Sequence, residues 1–590
     1  MSRRHRRAAT SITIAFMLAL SACAPSGVRA PEPAVDVAQY DVVIRNGRIV
    51  DGTGNPWFLG DVAIRGDRIA AIARPGGLGR VQAARVFDAR GLVVAPGFID
   101  IQSHSWGALL TGDGRVLSKI HQGVTSEILG ESFTPAPLND RTLAYIGLGA
   151  ADTVRRALHA TFYGAGGFGR WLEAMEQHGN AVNVGSFLGA ETIRVYARGE
   201  SEGAPSSAEL DSMRQVVRWA MQDGAFGISS ALIYPPGAYA ATSELVESAR
   251  AMAPYRGAYI THIRSEEARV LEAIDEALEI GREARVPVII YHLKAAGRSN
   301  WWKAGSMVAK IDSARAAGQD VTATMYPYPA SSNSLSACLP AWTSADGRLL
   351  ENLRDRATRA RVSAEMRDTS EAARAAAGCP DGGDVIMVLG FRTPELRKFD
   401  GLRLGQIADS LGTDWVDALI DLTIREENRL SKITFSMNEE NVAMQLQQPW
   451  VSIGSDAGGQ NPEGARGLTH PRAYGTWPRL LGRYVREQGV LTLEDAVRKS
   501  TALPASQLGL RDRGLLREGM YADVVVFDPA TILDLATYEQ PHQLARGVKH
   551  VFVNGVPVLQ NGQATGATPG RALRGPGWRG APGGPGSGGR

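Results

Sequence analysis

Two histidines thirty positions apart, His262 in Tyr259-Ile-Thr-His-Ile-Arg264 and His292 in Ile289-Ile-Tyr-His-Leu-Lys294, each close a short β-type apolar run. Neutral imidazoles at neighbouring strand ends are well placed to hold one divalent metal. Three further runs end in groups of the same chemistry. Val94 to His104 closes on a histidine, Val124 to Glu131 delivers an acid after a glycine, and Trp450 to Asp456 ends in an aspartate. Hydrolysis by a bound metal needs this set: imidazoles and a carboxylate to hold the ion, and a separate carboxylate to move protons.

The elements that must position these groups are legible from periodicity. Between His262 and His292 lies a helix-like stretch, Ala268 to Glu283, with Leu271, Ile274, Ala277, Leu278 and Ile280 on one face. A strand–helix–strand unit follows, and adjacent parallel strands of a (β/α)8 barrel set their carboxyl ends side by side at one mouth. Strand and helix patterns alternate over residues 95–510, so the fold class is α/β with a TIM-type barrel. That span exceeds the roughly 250 residues typical of the barrel, so insertions are expected. The arginine- and alanine-rich residues 345–382 are the best candidate for one, as a lid over the mouth. Residues 40–94 and 511–566 carry β-branched runs broken by Asn-Gly and Gly-Asp turns, and predict a small β-sandwich domain built from both chain ends.

The amino terminus reads as an address. Four arginines in Met1–Arg7 precede a short apolar stretch that ends in Leu20-Ser-Ala-Cys23, the pattern of a signal peptide over residues 1–23. The Arg-Arg pairs only hint at twin-arginine export. Residues 24–39, rich in proline and alanine, read as a flexible tether. Residues 567–590 are mostly glycine, proline and arginine and predict a disordered tail. The formal charge of +3 falls to about −1 without the four leader arginines, which gives no nucleic-acid footprint. Beyond Cys23 only Cys338 and Cys379 remain, and the sequence leaves open whether they pair.

From about Tyr40 to about Gly566 the chain resembles the amidohydrolase superfamily, and within it the N-acyl-D-amino-acid deacylases, or D-aminoacylases. The segments that carry the resemblance are Ala95-Pro-Gly-Phe-Ile-Asp100, His262-Ile-Arg-Ser-Glu266, His292-Leu-Lys294, Tyr326-Pro-Tyr328, Gly454-Ser-Asp456 and His470-Pro-Arg-Ala-Tyr-Gly-Thr-Trp-Pro-Arg479. Ala522 to Pro529 and Val553-Asn-Gly555 add the superfamily's ending. Leu20-Ser-Ala-Cys23 likewise resembles a bacterial lipobox, which implies lipidation of Cys23. The protein would then sit at the cell envelope, facing the periplasm, and Ala24 favours the outer membrane.

Two positions depart from the family pattern. Gln102 replaces the first histidine of the usual His-x-His, leaving His104 alone, so a second metal on that side should be weak or absent. The family's bridging cysteine is also missing: Gly130-Glu-Ser-Phe133 stands there, with Glu131 the substitute ligand and Glu127 its competitor. The resemblance implies one tightly bound Zn2+ on Glu131, His262 and His292. It implies Asp456 as general base and then acid, with Arg472 clasping the substrate carboxylate beside Lys294, Tyr326 and Ser332. His470 has no assigned role, and His121, His159, His178, His542 and His550 read as structural or solvent-facing. The expected reaction is hydrolysis of a small-molecule N-acyl-D-amino acid to a carboxylate and a D-amino acid. The alternatives are a cyclic-amide hydrolase of dihydroorotase or hydantoinase type, a dipeptidase for D-residues, and a degenerate envelope binding lipoprotein.

Overall fold

The computed structural model describes residues 40–580, apart from 80, 148–151, 369, 371–377 and 380. The leader, the tether and Cys23 lie outside the described residues. No helix among the described residues is long and apolar enough to cross a membrane.

Strands β1 (Tyr40–Ile49), β2 (Phe58–Arg65), β3 (Arg68–Ala73), β4 (Ala83–Asp88) and β5 (Val93–Pro96) open the chain. Parallel strands follow: β6 (Phe98–Asp100), β7 (Val124–Leu129), β8 (Asn183–Ser186), β9 (Leu188–Gly189), β10 (Gly227–Ala231), β11 (Ala258–His262), β12 (Val288–Ile290) and β13 (Val321–Met325). An insertion contributes β14 (Ser331–Ser334), β15 (Ile386–Leu389) and β16 (Ser431–Thr434) before β17 (Val451–Ile453) rejoins the parallel set. The chain then adds β18 (Val524–Phe527), β19 (Val548–Val553), β20 (Val556–Gln560) and β21 (Gln563–Ala564).

The parallel strands form two arcs, β6-β7-β8 and β9-β10-β11-β12-β13-β17. At one junction β8 runs on into β9 across the single residue Phe187. At the other, a parallel bridge joins Ser103 to Ala457, just beyond the ends of β6 and β17. Followed from bridge to bridge, eight parallel segments return to their start. Their residues are buried throughout, as expected for parallel strands covered on both faces. The helix Val270–Ala284 links β11 to β12 and buries Val270, Ile274, Ala277, Leu278 and Ile280 against them.

The two chain ends share one hydrogen-bonded sheet of nine strands. It forks at β1, whose first half pairs with β4 and whose last residues pair with β5. The arms meet through Phe87, which packs edge-on against Phe552 at 5.4 Å. A separate sheet domain thus draws on both chain ends.

The insertion is larger than residues 345–382. It comprises the antiparallel sheet β14-β16-β15 and the helices Leu349–Arg354, Arg356–Arg367, Leu404–Leu411 and Trp415–Arg425. Its own core includes Leu353, Val362, Val388, Ile407 and Leu419. A disulfide joins Cys338 to Cys379. Most of the buried apolar residues of that core lie between Ile386 and Leu430, beyond the helical stretch.

The carboxyl-terminal expectation needs correction over residues 567–580. Despite their glycine and proline content they pack along the parallel strands: Ala572 bridges Val184, and Leu573 is buried beside Ile128 and Phe226. Arg574 donates to the Asp223 carbonyl and Arg571 pairs with Asp67. Backbone hydrogen bonds to Asn180 and Gly224 replace the regular structure that such a composition cannot form. Residues 581–590 lie outside the described residues.

Candidate metal centre and active site

The strand ends deliver their side chains into one cavity of about 250 Å³, lined by His104, Glu131, His262, His292, Asp456 and Arg472 among others. Glu131 lies two residues past β7, His292 two past β12 and Asp456 three past β17. His292 and Asp456 adopt positive φ (35° and 50°), a conformation that non-glycine residues enter at a cost of about 1–3 kcal/mol. Such strain persists where the surroundings impose it, as they do on side chains turned into a site.

Glu131, His262 and His292 have donor atoms close enough to share one ion. Glu131 Oε1 is 3.2 Å from His262 Nδ1 and 3.5 Å from His292 Nε2. Donors about 2.0–2.1 Å from a tetrahedral zinc stand about 3.3–3.4 Å apart, so this set fits the ion. His262 Nε2 is buried without a hydrogen-bond partner, at 3.6 Å from Glu266 Oε2. Burial works against charge on Glu131, but His104, His262 and His292 outweigh it and hold the carboxyl well below its ordinary range.

A relay of hydrogen bonds fixes Glu131. The His292 amide donates to Thr324 Oγ1 at 2.8 Å, and that hydroxyl donates to Gln102 Oε1 at 3.0 Å. Gln102 Nε2 then donates to Glu131 Oε2 at 2.7 Å. Gln102 therefore turns its N–H toward the site and its oxygen away from it, to Thr324. The competitor Glu127 is directed elsewhere, to Lys119 at 3.2 Å and to Ser105 Oγ at 3.0 Å.

His104 and Asp456 flank the other side. His104 Nε2 is 2.9 Å from Asp456 Oδ1 and 3.5 Å from Glu131 Oε2, forming a second possible ion position with one imidazole only. Burial disfavours a charged His104 ring, yet Asp456 and Glu131 raise its pKa to about 10. Asp456 Oδ2 pairs with Arg472 Nη1 at 2.8 Å. Burial would raise the Asp456 pKa, but Arg472 and His104 lower it, so the carboxylate stays ionised.

Arg472 is buried, stacks over Tyr326 at 4.6 Å and donates to the Ser332 carbonyl at 3.1 Å. Its backbone N–H donates to His470 Nδ1, which fixes the tautomer that donates from Nε2 to the Ala330 carbonyl. His470 thus supports Arg472 and has no place among the metal ligands. The Tyr326 hydroxyl is buried without a partner and lines the cavity with Ser332.

Lys294 lines the same cavity as Arg472, Tyr326 and Ser332, and its ammonium also serves the metal side. Its ammonium forms a short ion pair with Glu266 and donates to the His292 carbonyl at 3.0 Å. Glu266 is the group that sequence reasoning passed over. Its carboxylate also lies 2.9 Å from His292 Nδ1, which Lys294 Nζ contacts at 2.8 Å, and together they would orient a ring whose Nε2 faces Glu131 and could hold the metal. The signal was present four residues after His262, in His262-Ile-Arg-Ser-Glu266. The remaining histidines lie outside the cavity lining; His121 and His178, for example, bond backbone carbonyls.

Comparison with known proteins agrees with this geometry. Residues 85–559 match the model of the amidohydrolase family. The chain is 36% identical over 541 residues to the N-acyl-D-glutamate deacylase of Alcaligenes xylosoxydans xylosoxydans, covering 91% of this chain and 97% of that one. Among solved structures it resembles the N-acyl-D-glutamate deacylase of Bordetella bronchiseptica, complexed with zinc and a phosphonate mimic of the tetrahedral intermediate. The TM-score is 0.74 and the identity 32%, over 91% of this chain and all of that one. A D-aminoacylase structure, described by one-metal activation and second-metal attenuation of its binuclear centre, aligns with a TM-score of 0.72 at 32% identity, over 91% and 100% of the two chains.

Proposed function

The chain belongs to the amidohydrolase family and is a metal-dependent hydrolase, and we propose that it removes the acyl group from N-acyl-D-amino acids. The observation that carries this reading is the meeting of Glu131, His262 and His292 with Asp456 and Arg472 in one cavity. These three ligands would hold one zinc tightly. When bound, the ion supplies the Lewis acidity that activates water near neutral pH. Asp456, kept ionised by Arg472 and His104, accepts the proton of the attacking water and returns one to the departing amine nitrogen. Arg472 receives the substrate carboxylate in a planar, two-pronged contact, with Tyr326 and Ser332 lining the same wall. Lys294 faces the same cavity while its ion pair with Glu266 also braces the histidine ligands. A second ion beside His104 would be held weakly, since Gln102 presents its N–H rather than its oxygen to that side. The one-metal activation described for the D-aminoacylase relative supports the same stoichiometry.

The test is metal analysis of the protein lacking residues 1–23, alongside hydrolysis of matched N-acetyl-D- and N-acetyl-L-amino acids. Near one zinc per chain and D-selective hydrolysis are expected. Asp456→Asn should lower kcat by about 10²–10⁴ while zinc stays bound. A metal-free, inactive protein that cannot be reconstituted overturns the reading.

We further propose that the enzyme works at the cell envelope, anchored through Cys23. The Cys338–Cys379 disulfide supports an oxidising compartment. Cys23→Ala should release the protein from the membrane fraction, and persistence there would refute the anchor.

A further inference from the structure

The helix Arg472–Arg479 carries a second arginine, which the proposed chemistry does not use. Arg472 and Arg479 lie about two helical turns apart and so leave the helix on the same face. Pro478 brings no N–H to that helix, and directly after Arg479 the chain widens into π-helical turns over Leu480–Glu487. Turns of this kind are rare and frequent at functional sites.

Arg479 is not part of the cavity lining, but it grips the turn that builds one wall. That turn is Tyr326-Pro-Tyr328, directly after β13, and it is tight: the Tyr328 amide donates back to the Tyr326 carbonyl at 3.0 Å. Arg479 Nε donates to the Pro327 carbonyl at 2.6 Å, and its guanidinium stacks 4.8 Å from the Tyr328 ring. Its Nη2 donates to Glu439 Oε1 at 2.7 Å. Its Nη1 lies 3.7 Å from Asp534 Oδ2, which also accepts from the Tyr328 hydroxyl at 3.4 Å. A planar fork can serve a carbonyl, two carboxylates and a ring face at once, whereas a point-like ammonium cannot.

Both supports of Arg472 rest on this turn. Tyr326 offers its ring to the Arg472 guanidinium at 4.6 Å. Tyr328 packs edge-on against His470 at 5.3 Å, and His470 Nδ1 accepts the Arg472 backbone N–H. Helix and turn are in close contact, since a β-carbon at Gly475 would collide with the Tyr328 hydroxyl.

We propose that Arg479 is a positioning residue: by fixing the Tyr326–Tyr328 turn it sets the ring and the imidazole on which Arg472 rests, and thereby how tightly Arg472 clasps a substrate carboxylate. The proposal rests on the deacylase reading and on the role given there to Arg472. It assigns part of the selectivity for a carboxylate to a side chain that touches no substrate.

Calorimetric binding to the zinc-loaded Asp456→Asn protein tests this without turnover. The ligands are N-acetyl-D-leucine and its uncharged carboxamide, N-acetyl-D-leucinamide. Arg479→Gln should weaken the acid about 3- to 30-fold, part of the worth of a charge-assisted bond, and leave the amide within about twofold. Arg479→Lys keeps the charge that faces Glu439 and Asp534 but not the fork, so it should lose less. In an Arg472→Gln background the Arg479 change should cost nothing further, because the group it positions is gone. A parent-like melting temperature identifies folded variants, and Arg479→Lys carries the same comparison where Arg479→Gln does not fold. The proposal is overturned if a folded variant weakens acid and amide equally, or if the losses at Arg472 and Arg479 add. A preference for the acid that survives Arg479→Gln but not Arg472→Gln overturns it too, and leaves the deacylase reading standing. If the parent hydrolyses no N-acyl-D-amino acid yet the Arg479-dependent preference persists, the deacylase reading falls and the positioning role stands.

Discussion

Replacing Gln102 by leucine probes how the metal site is held without touching a ligand. The substitution approximates the side chain's shape and removes two hydrogen bonds, to Glu131 at 2.7 Å and from Thr324 at 3.0 Å. The first is a bond to an ionised carboxylate, worth about 1.5–3 kcal/mol. At about 1.4 kcal/mol per factor of ten, that energy corresponds to roughly 10- to 150-fold in zinc affinity if Glu131 must be pre-oriented to bind. The range agrees with the 10- to 100-fold cost usual for losing an orienting partner of a metal ligand. The second loss leaves the buried Thr324 hydroxyl without an acceptor and should cost about 1–3 kcal/mol of stability in the metal-free protein. Zinc affinity is read by competition against a fluorescent chelator at fixed pH, and stability by the urea midpoint. A variant that loses stability yet binds zinc within twofold of the parent would refute the reasoning, because Glu131 would then be either not positioned by Gln102 or not needed as a ligand.

Arg472→Gln should raise KM about tenfold or more, and it should also move the acid limb of kcat/KM to higher pH. Arg472 and His104 depress the Asp456 pKa; without the guanidinium that pKa rises, so the ionised base appears only at higher pH. An unmoved limb in the pH–rate profile would separate Asp456 from the base role. Lys119→Met should cost about 3–5 kcal/mol, since Lys119, Asp100 and Glu127 are all fully buried and two carboxylates would lose their counter-charge. The urea midpoint measures this, and an unchanged value would mean that the Lys119 ammonium does not stabilise the folded state. Leu573→Ala should cost about 2–5 kcal/mol by opening a cavity beneath the parallel strands. Parent-like unfolding would return residues 567–580 to the status of a loose tail.

The strand-end histidines, the helix between them and the alternation of β and α elements were legible in the sequence because they are written in short-range periodicity. A buried parallel strand must be nearly continuous in apolar residues, and its covering helix must repeat them every three or four positions, as Val270 to Ala284 does. The composite sheet announced itself in the same way through β-branched runs at both ends. What the sequence left open were matters of convergence. Glu127 and Glu131 share one strand and its exit, and the packed positions of Lys119 and Ser105 draw Glu127 away from the metal cavity. Gln102 read as a lost ligand, whereas its contacts with Thr324 and Glu131 make it a support for another. Residues 567–580 read as disordered because their order comes from hydrogen bonds to distant backbone, not from any pattern of their own. Asp456 meets His104 across 352 positions, and Arg472 meets Ser332, on a strand of the insertion, across 140. Periodicity fixes which way a side chain faces within its own element. Which charges then share a cavity is decided by the closure of the ring and the register of the inserted sheet, where burial makes each unpaired group costly enough to select its partner.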